Sequence, residues 1–259
     1  PLYRFDYWRW HPLINIYGIP LEDAVLIWEE DGRIVAFANI ENFGEAFAHF
    51  DLCTRTDELE VEVQAACESY FAAEGKLKVW AGSTDHARQA MLTSRGFRRE
   101  GGPEYSRYQD LTTRELPERP AFGYEIRAQG EGLELVERCW ASGLAFHPES
   151  HHQAIENRAD VGWYRNMQRA PLYRRELDLI AVAPDGSVAG FATVWFDDVL
   201  RWAAFEPVGV VPAHQRRGVG HALLAEGLRR AKDRGAVRAL VGSYSDEASG
   251  LYEKAGFTQ

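Results

Sequence analysis

The chain has 259 residues, 46% of them hydrophobic, enough to bury the cores of two ordinary domains. With 39 acidic against 29 basic residues the formal net charge is −10, which excludes a basic nucleic-acid-binding face and mildly favours cationic partners such as amines. Cys53, Cys67 and Cys139 are too few and too scattered for a disulfide framework, no run approaches the ~18 apolar residues of a membrane span, and no signal peptide opens the chain; a cytoplasmic protein is expected.

The chain opens on an aromatic-rich segment, Tyr3–Trp10, in which Tyr7, Trp8 and Trp10 read as core or interdomain packing. Asp31-Gly32 lies between β-branched and aromatic runs and predicts a hairpin. A helix follows, with Val63, Cys67, Tyr70 and Phe71 as its core face. Gly75 ends that region and Leu77–Trp80 reads as a strand. Tyr105–Gln109 is expected to close this first domain as a last strand. Leu111–Ala121, with Pro117 and Pro120, reads as a linker.

Beyond the linker the same signals return. Tyr124–Arg127 predicts a strand, Glu131–Ala145 a helix, and His147–Ala170 a polar stretch of helix and loop. Leu177–Ala183 and Val188–Asp197 form a hairpin around Asp185-Gly186, and Trp202–Val211 is a further strand. Gly218–Arg234 is an amphipathic helix with Val219, Leu223, Leu224, Leu228 and Ala231 on one face. Ala239–Gly242 is a strand and Ala248–Ala255 a short helix. Gly75 matches Gly235, and Gly96-Phe97 matches Gly256-Phe257, both 160 residues on. The fold class is therefore α/β, with two tandem domains, 1–116 and 122–259, each a mixed central sheet flanked by helices. Comparison of the copies reads both chain ends as incomplete.

The segment Val208-Gly209-Val210-Val211-Pro212-Ala213-His214-Gln215-Arg216-Arg217-Gly218-Val219-Gly220-His221 is a strand, a turn and a helix start. Amides at a helix N-terminus attract an anion, the glycines allow close approach, and Arg216 and Arg217 add positive charge. That chemistry suits a diphosphate. It lacks the Lys-Ser/Thr of a triphosphate loop and the full Gly pattern of a dinucleotide fold.

Val-x-Pro followed by Gln-Arg-Arg-Gly-Val-Gly resembles the acetyl-CoA motif of the GNAT acyltransferase superfamily. Ala248-Ser249-Gly250-Leu251-Tyr252-Glu253-Lys254-Ala255-Gly256-Phe257 resembles that family's A-x-x-L-Y-x-x-x-G-F segment. The resemblance covers Gly123 to Gln259 well and the first half more faintly. It implies acetyl transfer from acetyl-CoA, with no metal, to a primary amine of a small molecule or peptide by direct attack. It assigns backbone of Val208, Gly209 and Val210 to the cofactor arm, and Gln215, Arg216, Arg217, Gly218, Val219, Gly220 and His221 to the pyrophosphate. Ser245 stands where many relatives have an Asn that touches the arm. Tyr252 matches the family's proton donor to the departing thiolate. Glu206 is the candidate general base, with water-relayed deprotonation as the other option. A non-catalytic acyl-CoA-binding sensor or partner module is the alternative function.

In the first copy, Asp57, Glu58 and Glu60 replace Arg217, Gly218 and Gly220, Ala46 replaces Glu206, and Leu92 replaces Tyr252. One active and one degenerate domain are therefore expected, an architecture that resembles mycothiol-synthase-like GNAT proteins. His147, His151, His152 and Glu149 read as a solvated loop, with a metal or acceptor cluster as the alternatives, and Arg229, Arg230, Lys232 and Arg234 read as a solvated helix end that complements the dipole, with a contact for the 3′-phosphate of CoA as the alternative. The His221 imidazole is expected to face solvent.

Overall fold

The computed structural model describes residues 20–42, 44–51, 53–113, 115–117, 123–147 and 161–258. These fall into two compact units, divided after Gly101. The aromatic segment Tyr3–Trp10, part of the linker, and Glu149, His151 and His152 lie outside the described residues.

The first unit holds a four-stranded sheet in the order β1-β2-β3-β4: β1 Val25–Glu30, β2 Arg33–Asn42, β3 Glu45–Phe50 and β4 Lys78–Val79. Asp31 and Gly32, at φ 50° and 73°, make the two-residue turn that joins Glu30 to Arg33. A short helix, α1 (Leu21–Ala24), precedes the sheet. Helix α2 (Asp57–Tyr70) is capped by the Thr56 side chain, which accepts from the Leu59 N–H at 3.2 Å. Val63, Cys67 and Phe71 are buried as the spacing predicts. Tyr70 is instead 71% exposed, because the helix ends there and Phe71, its cap residue, takes the inward position. Helix α3 (His86–Ser94) is capped by Asp85.

The second unit is built on a six-stranded sheet in the order β5-β10-β9-β8-β7-β6. Its strands are β5 Tyr105–Asp110, β6 Glu125–Ala128, β7 Asp178–Val182, β8 Val188–Asp197, β9 Trp202–Val210 and β10 Arg238–Ser243. The expected strand at Tyr105–Gln109 forms, but it does not close the first sheet. It pairs antiparallel with β10, Tyr105 opposite Ser243 and Asp110 opposite Arg238. A local pattern predicts that a strand exists; it does not reveal a partner more than a hundred residues away.

Helices α4 (Leu133–Phe146) and α5 (Gly162–Met167) pack with Trp195, Ala204 and Leu240 on one face of this sheet. Helices α6 (Val219–Asp233) and α7 (Asp246–Lys254) pack with Ala192, Val194, Phe205 and Val241 on the other. Every residue of β8 is buried, which is what cover on both faces requires. Among the described residues no helix is long and apolar enough to cross a membrane.

The repeated Gly-Phe signature has a common structural cause. Gly96 (φ 88°) and Gly256 (φ 96°) each end a helix in the left-handed region. The following Phe N–H reaches back to Leu92 O and to Tyr252 O, both at 3.0 Å. This is a glycine C-cap with an apolar residue after it.

Candidate active site

Strands β9 and β10 run parallel from Trp202/Arg238 to Phe205/Val241, and their pairing stops there. At the same level β9 bulges against β8: Ala192 faces Val208 and Val194 faces Phe205, so Glu206 and Pro207 together oppose Thr193. Pro207 has no N–H to give to a ladder. Val208–Val210 therefore keep β8 as neighbour on one side and present their other edge beside the parting strands. The Trp195 indole donates to Glu206 O at 2.6 Å and fixes the bulge from the α4 face.

Beyond β9, Pro212–His214 make a single 3₁₀ turn and α6 begins at Val219. Arg216 (φ 59°) and Gly218 (φ 83°) are left-handed, which curls the backbone immediately before the helix. The Ala222 N–H donates to Gly218 O at 2.9 Å, the first helical bond. Among the described residues, the amides of residues 216 to 221 make no turn or cap bond to backbone. Successive unpaired amides at a curled helix start form an anion-binding nest. Arg216 and Arg217 are exposed beside it and make no ion pair among the described residues. This arrangement fits a diphosphate.

The two glycines of the loop act differently from expectation. Gly218 supplies the left-handed turn, but Gly220 serves packing: a Cβ there would lie 2.9 Å from Leu251 Cδ2 on α7. Gly209 likewise yields to a side chain, since its Cβ would meet the Phe191 ring at 2.3 Å. Gln215 folds back and donates to Val210 O at 3.2 Å. His221 does not simply face solvent. Its ring is half-buried, and Nδ1 is enclosed without a partner among the described residues. His214 Nδ1 is 3.1 Å from the Tyr124 hydroxyl.

Tyr252, on α7, is buried at 6% exposure, edge-on to Phe257 with centroids 6.2 Å apart. Burial pushes its phenol well above the ordinary tyrosine range, and the charge of Glu206 pushes it further. The two candidate catalytic side chains are thus brought within electrostatic reach from β9 and α7. Ser245 acts locally, as the cap of α7, and accepts from the Ala248 N–H at 3.2 Å.

Sequence reading missed Arg107. It comes from β5 and is almost fully buried, donating to Glu253 at 2.8 Å and to Ser243 at 3.4 Å. It ties the helix of Tyr252 to a strand that precedes the linker. No local signal marks that pairing. The basic run after the cradle is engaged elsewhere: Arg229 and Arg230 bind the buried Glu226, and Arg234 binds Glu176. It also begins about 16 Å along α6 from Gly218 at 1.5 Å per residue, so the 3′-phosphate contact finds no support. Among the described residues no group of three or more His, Cys, Asp or Glu could hold a metal.

The equivalent place in the first unit is filled from within. Arg55 reaches both Glu60, at the position of Gly220, and Asp85, at 2.7 Å. Arg88 lies 3.6 Å from Glu60. Carboxylates of the chain itself stand at this helix start.

Residues 134–257 match the acetyltransferase (GNAT) family model. Among solved structures, the chain is similar to a GCN5-related N-acetyltransferase from Sphaerobacter thermophilus, with 18% identity over 95% of this chain and 81% of that one, and a TM-score of 0.66. It is similar to a tandem GNAT protein from the clavulanic acid biosynthesis pathway, with 16% identity over 90% and 80% and a TM-score of 0.66. A GCN5-related N-acetyltransferase from Kribbella flavida gives 15% identity over 96% and 92%, with a TM-score of 0.59. At these identities the likeness shows the fold. No curated protein matches the chain.

Proposed function

We propose, on the match of residues 134–257 to the acetyltransferase (GNAT) family model, that this chain moves an acetyl group from acetyl-CoA to a primary amine of a small molecule or peptide by direct attack. The observation that carries the reading is the run of unpaired amides at 216–221, set at the start of α6 beside the parting of β9 and β10. The diphosphate of CoA suits that nest, and the free edge of Val208–Val210 suits the amides of its arm. Acetyl-CoA, when bound, supplies an activated thioester.

The chain's own residues supply the proton handling. Glu206 accepts the proton of the attacking amine, directly or through water. Tyr252, held protonated by burial, donates to the sulfur as negative charge develops there. Gln215 releases Val210 O on rotation and turns to the diphosphate. The first unit, with its own carboxylates at the equivalent helix start, binds no acyl-CoA. The protein works in the cytoplasm.

Thiol release from acetyl-CoA over a panel of amines tests this reading. Amine-dependent release is the expected result. Cofactor binding without turnover on any amine would instead favour the sensor.

A further inference from the structure

Arg138 lies on the core face of α4, in the stripe Leu135, Arg138 and Ala141, and is fully buried. Its guanidinium carbon is 3.7 Å from the centroid of the Phe191 ring and 4.8 Å from that of Tyr164. Nε, Nη1 and Nη2 all lack a hydrogen-bond partner among the described residues. Stacking on rings gains cation–π attraction, but a ring face does not satisfy five N–H donors. Buried donors without acceptors are costly, so the unfilled fork calls for an acceptor.

The buried carboxylate on this face does not take up these donors. Asp178 accepts from Tyr164 at 2.7 and 2.8 Å, from Tyr173 at 2.7 Å and from Thr193 at 3.0 Å. Burial keeps both phenols protonated, so they remain donors. With these donors in place, Asp178 is satisfied without Arg138.

The position of Arg138 is tied to the transfer site. The Phe191 ring that it stacks on lies against Gly209, so one ring separates the guanidinium from the Val208–Val210 edge. Thr193, on the same face of β8, opposes the bulge that carries Glu206. Helix α4 packs across both β8 and β9. Arg138 therefore stands on the face of the sheet opposite α6, on a helix that crosses the strand of the candidate base.

We propose that Arg138 binds a carboxylate carried by the acceptor, which makes the acceptor an amino acid or another amine with a carboxylate near it. This rests on the acetyl-transfer reading above. The planar guanidinium matches the two oxygens of a carboxylate bidentately. The long stem of the arginine lets the fork leave Phe191 without moving the α4 backbone.

The test compares common amino acids with their C-terminal amides, using the full chain, acetyl-CoA and thiol release. The wild type should favour at least one free acid over its amide by about tenfold to a hundredfold in kcat/KM. Arg138→Met should bring that ratio near one, chiefly through KM. Arg138→Lys, which keeps the charge and loses the fork, should retain part of it. Thermal shift without acetyl-CoA gives an independent arm: free acids should raise the Tm of the wild type, amides should not, and neither should act on Arg138→Met. Equal turnover of acids and amides, with no acid-selective shift, overturns the Arg138 subsite and leaves acetyl transfer standing. An acid-selective shift without turnover keeps the subsite and overturns acetyl transfer. A preference for malonyl-CoA over acetyl-CoA that vanishes in Arg138→Met would place the carboxylate on the donor and overturn the assignment to the acceptor.

Discussion

The carboxylate of Glu206, on the bulge of β9, raises the pKa of the Tyr252 hydroxyl on α7, adding to the larger effect of the phenol's burial. Both effects disfavour the phenolate, so Tyr252 remains a proton donor well past the pH at which a free tyrosine begins to ionise. Tyr252→Phe removes only the hydroxyl. It should lower kcat by about 10² to 10⁴, the usual range for a general acid, while the Kd for acetyl-CoA changes little. Calorimetry and steady-state thiol release measure the two separately; unchanged turnover would remove Tyr252 from this role. The kcat of the wild type should also show no alkaline loss attributable to Tyr252 near pH 10.

Glu206→Gln keeps the shape of the bulge and removes its charge. Two results follow if Glu206 is the base. Turnover should fall by about 10² or more at neutral pH. The Tyr252 pKa should also drop, because one of its two raising causes is gone, although burial keeps it above the ordinary value. Ultraviolet difference titration reads the second effect directly. A drop in pKa with no loss of turnover would leave the charge coupling in place and assign deprotonation to water.

Much of the second unit was legible because its signals are local. The helix expected over Gly218–Arg234 is observed at Val219–Asp233, and the hairpin strand expected at Val188–Asp197 is observed there. Asp-Gly turns, apolar periodicity and glycine caps act within a few residues, so a sequence displays them. The pairing of β5 with β10 was not legible, since it depends on a partner distant in sequence. Gly220 was read as ligand clearance, yet it makes room for the Leu251 side chain, which only the fold brings near. Arg138 did leave a trace: a charged residue three positions from Leu135 and from Ala141 interrupts the apolar stripe of α4.

Gly220→Ala probes that packing. Its Cβ would sit 2.9 Å from Leu251 Cδ2, one residue before Tyr252, so α7 must give way. The expected outcome is a stability loss of about 1–3 kcal/mol from overpacking, with a fall in kcat as Tyr252 shifts. Leu251→Ala in the same chain should restore part of both, because it removes the atom that clashes. Gly218→Ala acts through strain at φ 83°, about 1–2 kcal/mol for an ordinary residue in the left-handed region, and Leu251→Ala should not relieve it. Chemical denaturation of the four variants separates the two mechanisms. Rescue of Gly218→Ala by Leu251→Ala would count against this division of roles.

The first unit should bind no acetyl-CoA, because its helix start is already neutralised from within. Glu60 and Arg88 have side chains only 5% and 4% exposed, and Arg55 bridges Glu60 to Asp85. Calorimetric titration should therefore give one acetyl-CoA per chain; two tight sites would contradict the reading. Glu60→Gln strands Arg88 without its buried partner and should destabilise this unit by about 3–5 kcal/mol, the usual loss when one member of a buried pair is removed. The acid response has a defined sign. Burial alone would raise the Asp85 pKa, but hydrogen bonds from Arg55 and the Arg88 amide, with the charges of both arginines, outweigh it and hold it below the ordinary 3.8. A carboxylate with a depressed pKa stabilises the fold above its unfolded value, and that contribution fades as pH falls through the folded one. Wild-type stability should therefore decline below about pH 4, and Asp85→Asn should flatten the decline. A variant that loses stability as steeply as the wild type would show that other carboxylates govern the acid limb.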